Sequence, residues 1–279
     1  MEVKEKTVRY KEITEKSQTA AVIVAAGSSL RMGTNDKLFL TLGGIPVIVR
    51  TIMAFEKSNV EKIVVVTKKE SVEKIKNLIN EYNIKKVTDI VLGGKTRKES
   101  VLNGVKALYN NGNKTQNLKN VEDNSTLSFT YKNRNETEPE TETVCGTAVK
   151  TEIKNVLIHD GARPLVSQKI IEDVINALNV SLAAAPVIKI TDTLKTINGF
   201  GEIINTVNRE NTVAVQTPQG FNLKEYLAAA EKQEKDFTDD CAVMENAGIK
   251  IKTVPGSKSN IKITYKEDLL LAEYLLKIM

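Results

Sequence analysis

Residues able to do chemistry gather first at 20–46, AAVIVAAGSSLRMGTNDKLFLTLGGIP. Small residues at Ala25, Ala26, Gly27, Ser28 and Ser29 let backbone N–H groups come close to a ligand, and Arg31 and Lys37 bring two cations into the same stretch. Small residues, backbone donors and cations together describe a polyphosphate cradle. Two familiar phosphate motifs fail on it. G-x-G-x-x-G from Gly27 needs glycine where Ser29 stands, and a Walker loop needs Gly-Lys-Ser/Thr where Gly33 is followed by Thr34 and Asn35. Neither a dinucleotide-dependent dehydrogenase nor a P-loop ATPase is supported.

Two further stretches mix glycine with charge in the same way. Gly93-Gly94-Lys95-Thr96-Arg97-Lys98-Glu99-Ser100 offers backbone, a guanidinium and a hydroxyl, while His159-Asp160-Gly161-Ala162-Arg163-Pro164 sets a carboxylate beside a second guanidinium. Thr238-Asp239-Asp240 reads as a helix cap. His159 is the only histidine, which excludes a histidine-built metal centre, and no G-x-S-x-G elbow accompanies it. Cys145 and Cys241 cannot form a four-thiolate zinc site or a disulfide framework, and read as free thiols.

The elements that must position these residues follow from periodicity. Apolar runs at 21–25, 63–66, 89–92 and 155–159 read as strands buried on both faces. Helical stripes fall between them, through Val47, Ile48, Ile52 and Phe55, through Val72, Ile75, Leu78 and Ile79, and over 101–108. Further helices are expected at 170–178, 223–235 and 266–278, with a strand at 183–187. The alternation predicts an α/β fold, a mostly parallel sheet with helices on both faces. Ligands in such sheets lie beyond the carboxyl ends of the strands, where all three charged glycine stretches are delivered.

Three segments stand apart from that alternation. Residues 1–19 are charged and aperiodic and read as an extension, and 20–279 as one domain. Residues 111–153 are rich in Asn, Thr, Glu and Lys and far longer than an ordinary connection, so they read as an insertion, with a small hairpin from 127–131 and 144–149 as one option. Residues 189–215 place polar-alternating strands around Asn198-Gly199-Phe200-Gly201. A protruding hairpin cannot bury its apolar face alone and is expected to pair with a second subunit.

The net charge of +5 suits an anionic small molecule, but basic residues interspersed with acids and an aromatic content of 5% do not make a nucleic-acid surface. No apolar run is long enough to span a bilayer and the charged N-terminus lacks a signal-peptide core, so a cytoplasmic location is the expectation.

Taken in order, A-A-G-x-S-x-R-M-G-x-x-x-K, G-G-x-x-R-x-x-S, H-D-G-A-R-P, D-T-L-K, T-V-N-R, T-P-Q-x-F, T-D-D and N-I-K-x-T resemble the motifs of the 2-C-methyl-D-erythritol 4-phosphate cytidylyltransferases. The resemblance covers residues 20–110 and 154–279. It implies a Rossmann-like fold, with transfer of CMP from CTP to a polyol phosphate, Mg²⁺ on the triphosphate, and a homodimer joined through the 189–215 arm. Carried over residue by residue, it implies catalytic roles for Arg31, Lys37, Arg209 and Lys262. Ala25, Ala26, Gly27, Gly94, Arg97, Ser100, Asp160 and Gly161 would bind nucleotide. Thr193, Arg209, Thr217, Thr238 and Lys262 would reach the acceptor. No protein metal ligand is assigned beyond Asp160, which would take ribose hydroxyls or the metal–triphosphate region, while Arg163 braces its loop and His159 orients the turn. Three departures stand out, Gly161 for the usual alanine, Leu30 for an arginine and Asp36 for a proline. Ribitol 5-phosphate cytidylyltransferases share most of these motifs, the molybdenum-cofactor nucleotidyltransferases share the opening one, and a noncatalytic nucleotide-binding module is the reading from another class.

Overall fold

Strand β1 (Thr19–Val24) is the centre of the molecule because its side chains divide cleanly between two apolar layers. Ala21 and Ile23 point into one core and Ala20 and Val22 into the other, the period-two split of a strand covered on both faces. Its neighbours β4 (Lys62–Thr67) and β6 (Asn155–Asp160) run parallel to it and repeat the split. Ile63 and Val65 of β4 join the first core and Val64 and Val66 the second. The fold is a computed structural model that describes residues 18–27, 37–112, 152–233 and 236–279. Expectations for Arg31, Leu30, Asp36, Cys145, residues 1–17 and the bulk of the insertion lie outside these residues.

The first core is closed by α1 (Val47–Glu56), α2 (Val72–Glu81) and α4 (Gln168–Ala177), the second by α3 (Arg97–Gly112), α5 (Leu223–Glu231) and α6 (Asp240–Asn246). The sheet continues from β4 to β5 (Val87–Leu92), also parallel. On its other side, β11 (Gln219–Asn222) runs antiparallel to both β6 and β7 (Ala183–Lys189), and β12 (Lys252–Pro255) closes the edge parallel to β7. A third, smaller core holds the C-terminal α7 (Lys266–Ile278) against the short β2 (Thr41–Leu42), which pairs with β3 (Ile45–Pro46), and Leu165 and Ile263 lie in the same core.

Helix α3 begins at Arg97, four residues before the expected 101. The start signal is local: the Glu99 amide donates to the Thr96 hydroxyl at 3.2 Å, the capping pattern of Thr-x-x-Glu. The helix can then lie close on the sheet because Gly104 has no side chain. A Cβ there would stand 2.5 Å from Val22 and 2.7 Å from Val66. Arg97 and Ser100 therefore sit on a first helical turn rather than in a loop.

The expected arm is present as β8 (Lys195–Ile197) and β9 (Ile203–Thr206), an antiparallel pair that among the described residues bonds to no other strand and forms its own two-stranded sheet. The chain returns along β10 (Val213–Val215), which pairs with β7 in the same sense as β11. Between β10 and β11 the register along β7 slips, and Gln216, Thr217 and Pro218 bulge there. That bulge turns Thr217 toward the end of β6.

Candidate active site

The carboxyl ends of β1, β4, β5 and β6 open into one pocket of about 400 Å³. It is lined by Ala25, Ala26, Gly27, Lys37, Gly94, Arg97, Ser100, Asp160 and Lys262, so nine residues singled out in the sequence meet at one place. Among the described residues, Lys37, Lys68, Lys95, Arg97 and Lys262 supply five cations to this lining, and Asp160 is its single carboxylate. Such a balance favours a multiply charged anion.

Each loop is held by its own hydrogen bonds. Gly93 lets the first and second loops touch, since a Cβ there would lie 2.3 Å from that of Ala26. The Ser100 hydroxyl accepts from the Gly94 amide at 3.0 Å and donates to the Thr96 carbonyl at 2.9 Å, which folds the second loop onto its helix. Lys37 donates to the Ile263 carbonyl at 3.0 Å. Gly161 lies behind the lining, its amide bonded to the Val24 carbonyl at 2.9 Å and its carbonyl accepting from Thr51 at 2.9 Å.

Asp160 is the electrostatic hub. Its Oδ2 accepts from Lys262 at 3.0 Å and from Arg163 at 3.3 Å, while Arg97 stands 4.0 Å from Oδ1. Burial pushes its carboxyl up, but Lys262, Arg97 and Arg163 outweigh that and hold it below the usual carboxylate range. Arg163 also donates to the Asn260 carbonyl at 2.7 Å, and the Ile263 amide to the Ala162 carbonyl at 2.9 Å, so the irregular segment carrying Lys262 is tied to the Asp160 turn. The Lys262 side chain is 41% exposed while that of Asp160 is 12% exposed, so the ammonium reaches into the open pocket from a carboxylate that is itself buried.

Beneath the hub, His159 is fully buried and packs against Phe55 with the rings tilted by 56° and their centroids 4.9 Å apart. The Arg163 carbonyl, 3.2 Å from Nε2, can only accept, so Nε2 carries the proton and Nδ1 accepts from the Thr217 hydroxyl at 3.0 Å. Thr217 in turn accepts from the Asp160 amide at 3.2 Å. These bonds close a ring that fixes the turn from Asp160 to Arg163. Burial pushes the imidazole down to about 3, so it stays neutral and structural.

The remaining sequence-singled residues are elsewhere. Thr193 and Arg209 lie exposed on the arm side, where Arg209 donates to the Thr191 carbonyl at 3.1 Å. Thr238 is exposed ahead of α6 and absent from the lining. The cap of α6 is Asp239, whose carboxylate accepts from the Ala242 amide at 3.1 Å. Asp240, the next residue, turns inward and pairs with Arg97 at 2.7 Å. Sequence reasoning placed Asp240 in a run that could be either helix cap or substrate contact without separating the two, and assigned no site role to Lys68 or Lys95. Lys95 sits inside a motif already quoted, whereas Lys68 follows a strand with no motif around it.

The family model described as 2-C-methyl-D-erythritol 4-phosphate cytidylyltransferase matches residues 19–118 and 137–278. Relatives of that name from Alkaliphilus oremlandii and Clostridium botulinum are 35% and 36% identical to this chain, the alignments covering 94% of it in both cases and 96% and 98% of the relatives. The crystal structure of 4-diphosphocytidyl-2C-methyl-D-erythritol synthase from Anaerococcus prevotii superposes with a TM-score of 0.69 at 28% identity, covering 94% of this chain and 100% of that one. The Thermus thermophilus cytidylyltransferase gives 0.63 at 25% identity. With the motifs, the sheet order and the pocket in agreement, the chain belongs to the 2-C-methyl-D-erythritol 4-phosphate cytidylyltransferase family.

Proposed function

We propose that this pocket is where the enzyme transfers CMP from CTP to 2-C-methyl-D-erythritol 4-phosphate, giving 4-diphosphocytidyl-2-C-methyl-D-erythritol and pyrophosphate in non-mevalonate isoprenoid biosynthesis. The observation that carries the reading is the pocket's charge, five cations against one carboxylate at the carboxyl edge of the sheet. A phosphate oxygen of the acceptor attacks the α-phosphorus of CTP in line. The new P–O bond forms as the bond to the β-phosphate breaks, and pyrophosphate leaves with the electron pair. A phosphate monoester is already largely ionised near neutral pH, so no general base is needed.

The protein's contribution is positioning and charge. Lys37 and Lys262, with Arg31, neutralise charge that develops on the α-phosphate and the leaving group. Ala25, Ala26, Gly27 and Gly94 let backbone approach the nucleotide, Ser100 and Gly161 set the loops, and Asp160 accepts hydrogen bonds from it. A magnesium ion arriving on the triphosphate fits this donor set. Such ions take one or two protein carboxylates, or reach them through bound water, and complete their shell with phosphate and water; Asp160 is the one carboxylate that the described residues bring to the lining. The metal would supply Lewis-acid stabilisation of phosphate charge.

The arm completes a homodimer and carries Thr193 and Arg209 to the acceptor in the partner's site. Supporting this, Ile197, Phe200, Ile203 and Ile204 are all more than half exposed on a hairpin that pairs with no other strand among the described residues, Phe200 at 92%. Thr238 is assigned to the acceptor side, whereas the buried Thr217 acts on it through the Asp160 turn that its hydroxyl holds. The test is pyrophosphate release from CTP and Mg²⁺ with 2-C-methyl-D-erythritol 4-phosphate against ribitol 5-phosphate. Preference for the first is expected; preference for the second, or release with neither, overturns the reading.

A further inference from the structure

Arg97 stands between two carboxylates and bonds to only one. It is 2.7 Å from Asp240 and 4.0 Å from Asp160, although only Asp160 lines the pocket. Asp240 is immobilised on every side. It is 1% exposed, its Oδ1 accepts from the buried Tyr226 hydroxyl at 2.7 Å, and its backbone amide, with that of Cys241, donates to Gln219 Oε1 at 3.0 Å. Gln219 is pinned in turn through its amide to Asp239 at 2.9 Å. The anion opposite Arg97 is therefore fixed, and the guanidinium is drawn to it.

We propose that Asp240 is a positioning residue that holds Arg97 away from Asp160, so that Oδ1 of Asp160 stays open to a hydrogen-bond donor on bound CTP. Oδ2 of Asp160 is already taken by Lys262 and Arg163. Without the charge on Asp240, Arg97 has one carboxylate left in reach and closes on Oδ1. Asp160 then carries three cations and has nothing left to offer a ligand. Charge-assisted contacts are the stronger class of hydrogen bond, so the guanidinium displaces a neutral hydroxyl donor.

This inference rests on the pocket being the CTP site, and its test separates the two claims. Asp240→Asn keeps the shape and an oxygen to accept from Tyr226, and folding is checked by thermal melting. CTP affinity, read by equilibrium titration, should weaken about tenfold or more, a loss of roughly 1.4 kcal/mol. In an Arg97→Met background the same change should add nothing, because Asp240 acts only through Arg97. Unchanged affinity in folded Asp240→Asn, or additive losses in the double variant, overturns the proposal. If Asp240→Asn does not fold, Tyr226→Phe loosens the same carboxylate and should weaken CTP binding severalfold, again only when Arg97 is present. Asp160→Asn is the control: normal CTP binding in that variant removes the site reading itself, whereas weakened binding there with none in Asp240→Asn removes this inference alone.

Discussion

The pocket and the arm solve opposite problems with the same polypeptide. At the pocket, polar groups are buried and held by distant partners: Asp160, Asp240 and the neutral His159 are each less than a tenth exposed, and the groups that hold them come from four different segments. On the arm, apolar side chains face solvent and the hydrogen bonds are local, as where Asn198 caps its own turn through the amides of Phe200 and Glu202, each at 3.0 Å. One region gathers its charged groups from distant segments of the chain and buries them; the other leaves its apolar side chains exposed. A preorganised electrostatic site cannot tolerate stray water or movement, while an interface element gains its free energy on association.

Acid should break the pocket first, and most strongly. His159 sits below its ordinary value and takes up a proton in the unfolded chain as pH falls through about 6.5, but in the folded protein only near about 3. Its contribution is intact above that window and is lost on acidification at about 1.4 kcal/mol per pH unit, several kcal/mol in all. Asp160, also held below its ordinary value, loses stability in the same direction at lower pH still. Protonated Nδ1 could no longer accept from Thr217, and the ring around the Asp160 turn would open. Denaturant unfolding between pH 7 and 4 should show the decline, and a flatter decline in His159→Gln. Identical slopes for the two proteins would sink the assignment. The arm has no buried titratable group among its described residues and should not contribute.

Next in size is Lys37→Ala. Loss of one preorganised cation from the phosphate site should lower kcat about a hundredfold, and thermal melting checks that the variant is folded. Near-normal pyrophosphate release would mean that the pocket's charge is ornamental. The matching test of the arm is Phe200→Glu. Burying a phenyl ring is worth about 2 kcal/mol, so its replacement by a charge should weaken self-association about thirtyfold, visible by sedimentation, while the isolated chain keeps its stability. A variant that remains as strongly associated as the parent would place the interface elsewhere.

The two regions were also unequally legible in the sequence. Strands at the centre of the sheet declare themselves, since Val64, Val65 and Val66 or Leu157 and Ile158 have nowhere to go but into two cores. The arm was equally plain from its glycine turn and alternating strands. Pocket residues inside motifs, such as Asp160 and Lys262, could be named, but their pairing could not, because it spans about a hundred residues of chain and depends on how β6 and the irregular segment after β12 end together. Asp240 was hidden by its neighbour. Thr-Asp-Asp states a helix cap, and only the packing of α6 against Tyr226 decides that the first aspartate caps and the second turns inward. The early start of α3 was written in Thr96 and Glu99, yet the glycine pair before them drew the boundary too late.

The smallest test sets one glycine of each region side by side. Neither Gly161 nor Gly199 has a positive φ, so alanine fits both backbones and lowers the entropy of the unfolded chain, a gain of about 0.4–1 kcal/mol. At Gly199 a Cβ meets nothing within 4 Å, so Gly199→Ala should keep that gain and stabilise slightly. At Gly161 it would stand 3.0 Å from Ile48 Cδ1 and 3.1 Å from the Val24 carbonyl, and only the first of these can move aside easily. Gly161→Ala should therefore surrender the entropic gain to packing strain and come out neutral to about 1 kcal/mol destabilising. Chemical denaturation of the two variants measures the difference. Equal effects would mean that the floor beneath Asp160 is as loosely packed as the tip of the arm, and the contrast between a close-packed region and an exposed one would lose its physical basis.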